Sequence, residues 1–287
     1  MSVRHVLMPE RMLIVTETPV MQRLRELPAE YRVRGVKSWS ELVATMEQAS
    51  PASAVLVDPY MGGRAGGPSP ELRRAIMLRG TVPVIAVMHL RGDRSADVDT
   101  LLQWDVSAVL NLNVHRSLDA VREVLRGARA RPLKRAVEPL LGTFATENAR
   151  NMVRAACEVA VEGGAAPELA AIFHVDPRTV TAWCRREGLP PPRRLLAWAR
   201  VLLAAMMLRE HGRSVTNVAR AAGYANDHAL RRALRDLGAG NPSDTPRDEL
   251  FKQATEAFRT NLREAREKAR ARRRGLRAGR TPPPLSE

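Results

Sequence analysis

Four short apolar runs punctuate the first half of the chain: RMLIVT at 11–16, AVLVD at 54–58, VPVIAVM at 82–88 and AVLNL at 108–112. Between them the apolar residues change period. In SWSELVATMEQA, Trp39, Leu42, Val43 and Met46 recur at helical spacing. SLDAVREVLRGA at 117–128 sets Leu118, Val121, Val124 and Leu125 on one stripe behind Ser117, an N-cap residue. Wholly apolar strands alternating with helices imply a parallel sheet covered on both faces. The expectation is an α/β domain over residues 1–130.

The second half is patterned as helices alone. RPLKRAVEPLLGTFATENAR at 131–150 holds two prolines and a basic cluster and reads as the linker between domains. NMVRAACEVAVEGG at 151–164 then reads as a helix stopped by Gly163 and Gly164. In APELAAIFHVDPRTVTAWCRREG a short helix from Pro167 to Phe173 precedes a tight turn. A second helix follows, opened sharply by Asp176 as N-cap and Pro177 at the first helical position. Val175, Val180 and Trp183 fill the angle between the two. Arg178, Thr179, Thr181, Arg185 and Arg186 are left on the outer face, where Arg and Thr can read base edges or hold phosphates.

The same pattern recurs downstream. Ser214 caps VTNVARAAG, which ends at Gly223, and after a turn HALRRALRDLG turns Leu230, Ala233, Leu234 and Leu237 inward. His228, Arg231, Arg232 and Arg235 are then the outward set. Between the two units runs PPPRRLLAWARVLLAAMMLREHG, an apolar helix that spaces them. After Asp248 a helical face of Phe251, Ala254, Phe258, Leu262 and Ala265 gives way to KARARRRGLRAGR and a proline-rich end. Residues 249–287 are expected to be helical first and then a basic, partly disordered arm that adds nonspecific phosphate affinity.

Charge changes the picture from architecture to partner. Residues 1–130 hold 17 Lys/Arg against 14 Asp/Glu, whereas residues 131–287 hold 29 against 17. A positive field concentrated in the helical half attracts polyanions, because neutralised phosphates release condensed counterions. Aromatics supply only 4% of the residues, so the cores are built from Ala, Leu, Val and Met, which suits helices and α/β layers better than an all-β sandwich. No long uncharged stretch reads as a membrane helix, and nothing reads as a signal peptide. Two cysteines, Cys157 and Cys184, are too few for a disulfide framework, so a reducing cytoplasm is the expected location, with the protein nucleoid-associated when DNA-bound.

Two resemblances follow from these residues. The segment 150–247 resembles the DNA-binding domain of the AraC/XylS regulators, whose two helix-turn-helix units are joined by one long helix. The second unit is the closer, with Gly223-Tyr224 at its turn and Gly240-Asn241-Pro242-Ser243 at its close. In the first unit Ala182 stands where the family commonly has Arg, and Cys184 where it has a large apolar residue. Ala229 and Leu230 replace the usual serine and aromatic of the second. The resemblance implies promoter binding through two successive major-groove contacts. Residues 10–130 resemble the receiver domain of response regulators, which implies a flavodoxin-like, five-stranded parallel sheet.

Asp58 then stands at the phosphoacceptor position as a vestigial candidate. Glu17 supplies one acidic group after the first strand, but Thr16 takes the other place. Met88 sits where a hydroxyl belongs, and NLNV at 111–114 offers no lysine. A Mg²⁺-assisted phosphoryl transfer needs those groups. The domain is therefore read as a pseudo-receiver that works without phosphorylation, serving for homodimerisation, for signal input, or for docking RNA polymerase or another regulator.

No catalytic triad, P-loop or metal-ligand spacing occurs; His174, His211 and His228 do not fall at such spacing with each other or with the cysteines. The chain is expected to be a bacterial, non-enzymatic DNA-binding transcription regulator that needs no cofactor, binds double-stranded promoter DNA and binds no membrane. Its rivals are a phosphorylation-dependent response regulator using Asp58, and a low-specificity protein that coats DNA.

Overall fold

A computed structural model describes residues 11–16, 31–50, 52–62, 67–78, 81–143, 145–210 and 212–278. Its first part is a five-stranded parallel sheet of β1 (Arg11–Thr16), β2 (Tyr31–Val36), β3 (Ala54–Val57), β4 (Val84–Met88) and β5 (Ala108–Asn111), in the order β2-β1-β3-β4-β5. Alternate strand residues feed two cores. Ile14, Val55, Val57, Val84 and Ala86 pack against α1 (Trp39–Gln48), α2 (Pro70–Leu78) and α3 (Ser95–Gln103). Leu13, Val15, Leu56, Ile85 and Val87 face the opposite way, against Val121, Leu125 and Ala128. Both faces are therefore covered, as the apolar runs require.

One strand carries no apolar run. β2 reads YRVRGV and lies at the sheet edge, with Arg32 and Arg34 exposed and Val33 turned toward the core beneath the sheet. An edge strand needs only one buried face, so alternation replaces continuous hydrophobicity. The Gly-rich stretch at 62–70 falls partly, and Glu17 and His211 wholly, outside the described residues.

Helix α4 (Leu118–Leu141) runs into the stretch read as the linker. Residues 131–141 continue the helix that Ser117 caps, through Pro132 and Pro139. A proline inside a helix costs roughly 3 kcal/mol or more. The reason it is tolerated lies in the stripe that runs on across both prolines: Val121, Leu125 and Ala128 belong to the sheet core, and Ala130, Leu133, Val137, Leu140 and Leu141 to the helical core. One helix is thus buried in both halves.

The helical part comprises α5 (Glu147–Val161), α6 (Ala166–Ile172), α7 (Pro177–Glu187), α8 (Pro192–Arg209), α9 (Val215–Ala221), α10 (Asp227–Asp236) and α11 (Arg247–Ala278). Helix α5 begins at Glu147, four residues before the expected 151, because Thr146 accepts from Ala149 N and caps it. Helix α8 is the apolar spine, with Leu195, Leu196, Trp198, Leu202, Leu203 and Met207 buried. Helix α11 lies along it through Leu250, Ala254, Phe258 and Leu262. It also runs further than expected: the basic stretch from Lys268 to Ala278 is helical, which Ala, Arg and Lys favour.

Polar contacts tie the two halves together beyond α4. Glu210, at the end of α8, accepts from Thr81 N at 2.8 Å and from the Thr81 hydroxyl. It also pairs at 3.0 Å with the buried Arg213, which donates to Ala49 O. From α4, Arg129 pairs with Glu162 at 2.8 Å and Arg131 donates to Ser107 O at 2.9 Å.

Candidate nucleic-acid interface

The first helix pair, α6 and α7, is built as its residues suggest. Glu168 reaches back to accept from Ala165 N at 3.0 Å and steadies the start of α6. Asp176 Oδ1 accepts from Arg178 N at 2.7 Å, so α7 starts abruptly with Pro177 in its first turn. Val180 and Cys184 are buried, and Trp183 meets Phe173 edge-on with ring centroids 5.9 Å apart. Gly188 in the left-handed conformation ends the helix and donates to Cys184 O.

Burial on one side leaves the other exposed. Arg178, Thr181, Ala182, Arg185 and Arg186 face solvent, and Thr179 is half-buried. The Thr181 hydroxyl donates to Pro177 O at 3.0 Å, within its own helix. Arg186 pairs with Glu187 at 3.1 Å, whereas Arg178 and Arg185 have no side-chain partner among the described residues. Arg193 was not singled out from the sequence. It is exposed on the first turn of α8 and shares a groove with Pro177, Arg178, Thr181 and Leu196. Its signal was the pair of arginines following PPP.

The second pair, α9 and α10, uses the same parts. Ser214 accepts from Asn217 N at 3.2 Å, and Asn226 from Ala229 N at 2.8 Å. Leu230 and Leu234 are buried, which leaves His228, Arg232 and Arg235 exposed. Arg231 is different: half-buried, it donates to the Ser243 hydroxyl and lies 3.5 Å from Asp227. The side chain assigned an outward role is turned onto the closing loop.

Helix α8 touches both pairs, and its Arg200 connects them. Arg200 donates to Gly163 O at 3.1 Å and to Gly164 O, on the turn leading into α6. Gly223, at the turn of the second pair, lies against both Gly163 and Arg200.

The ends of the sheet strands show other chemistry. Asp58 is half-buried; its Oδ1 accepts from Tyr60 N at 2.9 Å, and its own N–H donates to Thr16 Oγ1 at 2.7 Å. The Tyr60 hydroxyl donates to Asp97 at 2.7 Å beneath the Arg94 guanidinium, 4.1 Å from the ring. Burial, and then that hydrogen bond, push the Tyr60 hydroxyl up to about 12. Met88 is buried, and Asn111 accepts from Asn113 N at 3.0 Å. Among the described residues no cluster of His, Cys, Asp and Glu is grouped to hold a metal. Both cysteines are buried, and burial pushes each thiol up to about 12, so Cys184 fills core space beside Met152 rather than presenting a reactive thiolate. No described helix is long and apolar enough to cross a membrane.

Residues 169–248 match a family model described as a helix-turn-helix domain. No curated protein and no solved structure matches the chain. The matched stretch begins within α6, ends at the start of α11 and takes in both helix pairs, which supports the AraC-type resemblance over that stretch. The helical half therefore carries a helix-turn-helix domain, a DNA-binding module of transcription regulators.

Proposed function

We propose that the chain is a sequence-specific transcription regulator of AraC type whose two helix pairs are both helix-turn-helix units. Helices α7 and α10 enter successive major grooves of promoter DNA. Arg178 and Arg185 contact bases or phosphates from the first, with Arg193 beside them, and His228, Arg232 and Arg235 from the second. The observation that carries this reading is the repeated construction: two capped helices, each buried on one face and arginine-bearing on the other, set on one spine helix.

The α/β half serves as a pseudo-receiver that acts without phosphoryl transfer. Thr16, which takes one of the expected acidic places and binds the Asp58 N–H, and the stretch at 111–114, which offers no lysine, support this, since phosphoryl transfer needs the full carboxylate set for Mg²⁺ and a cation to balance the developing charge. The half influences DNA binding through α4, which is part of both cores. Exposed Met77 and Leu78 at the end of α2 offer apolar surface for a second copy or for RNA polymerase.

Selection of bound duplexes from a random pool at about physiological salt tests the reading. An enriched motif with two half-sites is the expected outcome. Binding without enrichment would replace it with DNA coating, and no binding would remove DNA as the partner.

A further inference from the structure

Helix α11 continues past Leu262, the last fully buried apolar residue among the described residues, for 16 residues, about 24 Å of helix. A buttress for α8 would need only the stripe that ends there. The charge changes at the same place. Residues 247–267 hold five Lys/Arg and five Asp/Glu; residues 268–278 hold Lys268, Arg270, Arg272, Arg273, Arg274 and Arg277 and no acid.

The path of this basic end is defined by contacts with the end of α7. Arg266 lies against Gly188, where a Cβ would come within 2.9 Å of its Cγ and 3.1 Å of its Cα. Only a glycine lets the helix backbones approach so closely. Arg266 also donates to Leu141 O at 3.3 Å, and Arg273 donates to Arg186 O. Burial first, then the nearby Arg270, lower the Arg266 guanidinium to about 10. A groove of about 390 Å³ opens between the two helices. Thr181 and Arg185 of α7 and Lys268 and Arg272 of α11 line it, together with Arg194 and a single carboxylate, Glu264. Arg185, Lys268 and Arg272 have no acidic partner among the described residues. Cations that face each other unpaired across a groove repel, and a polyanion laid between them relieves that repulsion.

We infer that the basic end of α11 is a built phosphate-backbone clamp beside the first helix pair, with Lys268 and Arg272 holding the DNA strand that flanks α7. The inference rests on the DNA reading proposed above. It adds that the extra grip is sequence-independent and one-sided, because α11 places no such cluster beside α10, where it presents Gln253, Glu256 and Ala257 to Leu237 and Gly238. The protected stretch of DNA should therefore extend at one end only, beyond the half-site of the first pair.

The test compares the full chain with the double variant Lys268→Ala/Arg272→Ala, binding both a selected duplex and a labelled duplex of mixed sequence. Salt is varied between about 50 and 200 mM. Alanine keeps the helix. Arg259→Ala/Arg263→Ala is the matched control, since it removes the same charge from the same helix where Glu256 already pairs both residues. Loss of two phosphate contacts should lower the salt slope by about 2 and weaken binding about 30-fold near 150 mM salt, equally on both duplexes. The control should change the slope by less than about 0.5. An unchanged slope in the double variant overturns the clamp while leaving the DNA reading intact. Tighter binding overturns it too, by showing that α11 shields α7. A wild-type chain that binds neither duplex overturns both.

Discussion

The two helix pairs share a design and differ in how it is loaded. Each turn closes the same way, by a backbone N–H reaching five residues back: Val175 to Ala170 O at 3.2 Å, and Tyr224 to Ala219 O at 2.8 Å. Each second helix opens on a side-chain cap, Asp176 or Asn226. Beyond that they part. The first pair leaves Arg178 and Arg185 without a side-chain partner among the described residues and has the basic end of α11 beside it. The second turns Arg231 onto Ser243 and Asp227 and meets the charge-balanced part of α11. The same scaffold thus supports one face where charge is concentrated and one where it is partly neutralised within the protein. On the proposed DNA reading, that difference predicts grip from the first pair and a larger share of discrimination from the second.

The largest expected effect removes what the pairs have in common. Trp198 on α8 is 1% exposed, lies 5.5 Å from the Phe258 ring and donates to Asn261 at 2.9 Å. Trp198→Ala should cost about 3–5 kcal/mol in urea unfolding, a large part of a typical total of about 5–15. Both pairs rest on α8, so helical signal and DNA binding should fall together. A cost below about 1 kcal/mol would show that α8 is not their common support.

A smaller effect separates the pairs. Arg178→Ala and Arg232→Ala should each weaken binding to a selected site by about 1–3 kcal/mol if the residue contacts a base, and relax preference at one half-site only. On mixed-sequence DNA, Arg178→Ala should still weaken binding, because the first pair sits in the stronger field, whereas Arg232→Ala should leave it nearly unchanged. Equal losses on both duplexes for both variants would erase the division of labour.

Much of this site was legible in the sequence because caps and turns are local. Asp176-Pro177, Ser214 and Gly223 announce helix boundaries through their own chemistry, and the structure places boundaries there. What sequence could not show depends on distant partners. β2 needed the sheet edge to explain an alternating YRVRGV, and α4 survives Pro132 and Pro139 only because two cores take up its stripe. The basic run after Glu267 reads as a solvated arm until the end of α7, far away in sequence, gives it a surface, with Arg273 donating to Arg186 O. Arg231 carries the same lesson in reverse, since its partner Ser243 lies outside its own helix.

The smallest effect concerns the turns themselves. The residue that reverses the chain has positive φ in both pairs, 53° at His174 and 81° at Gly223. A side chain in that conformation costs about 1–2 kcal/mol, which glycine avoids at some entropic cost of its own. His174→Gly should therefore stabilise the fold by about 0.5–1 kcal/mol, raising Tm by about 2 °C. Gly223→Ala should go the other way by about 1–2 kcal/mol, since its Cβ would add a 3.4 Å contact with Gly163 Cα to the backbone strain. Opposite signs in calorimetry would mean that the two turns solve one backbone problem with different residues. If His174→Gly destabilised instead, the imidazole would be contributing something the first pair needs, and the two units would be less alike than their hydrogen bonds suggest.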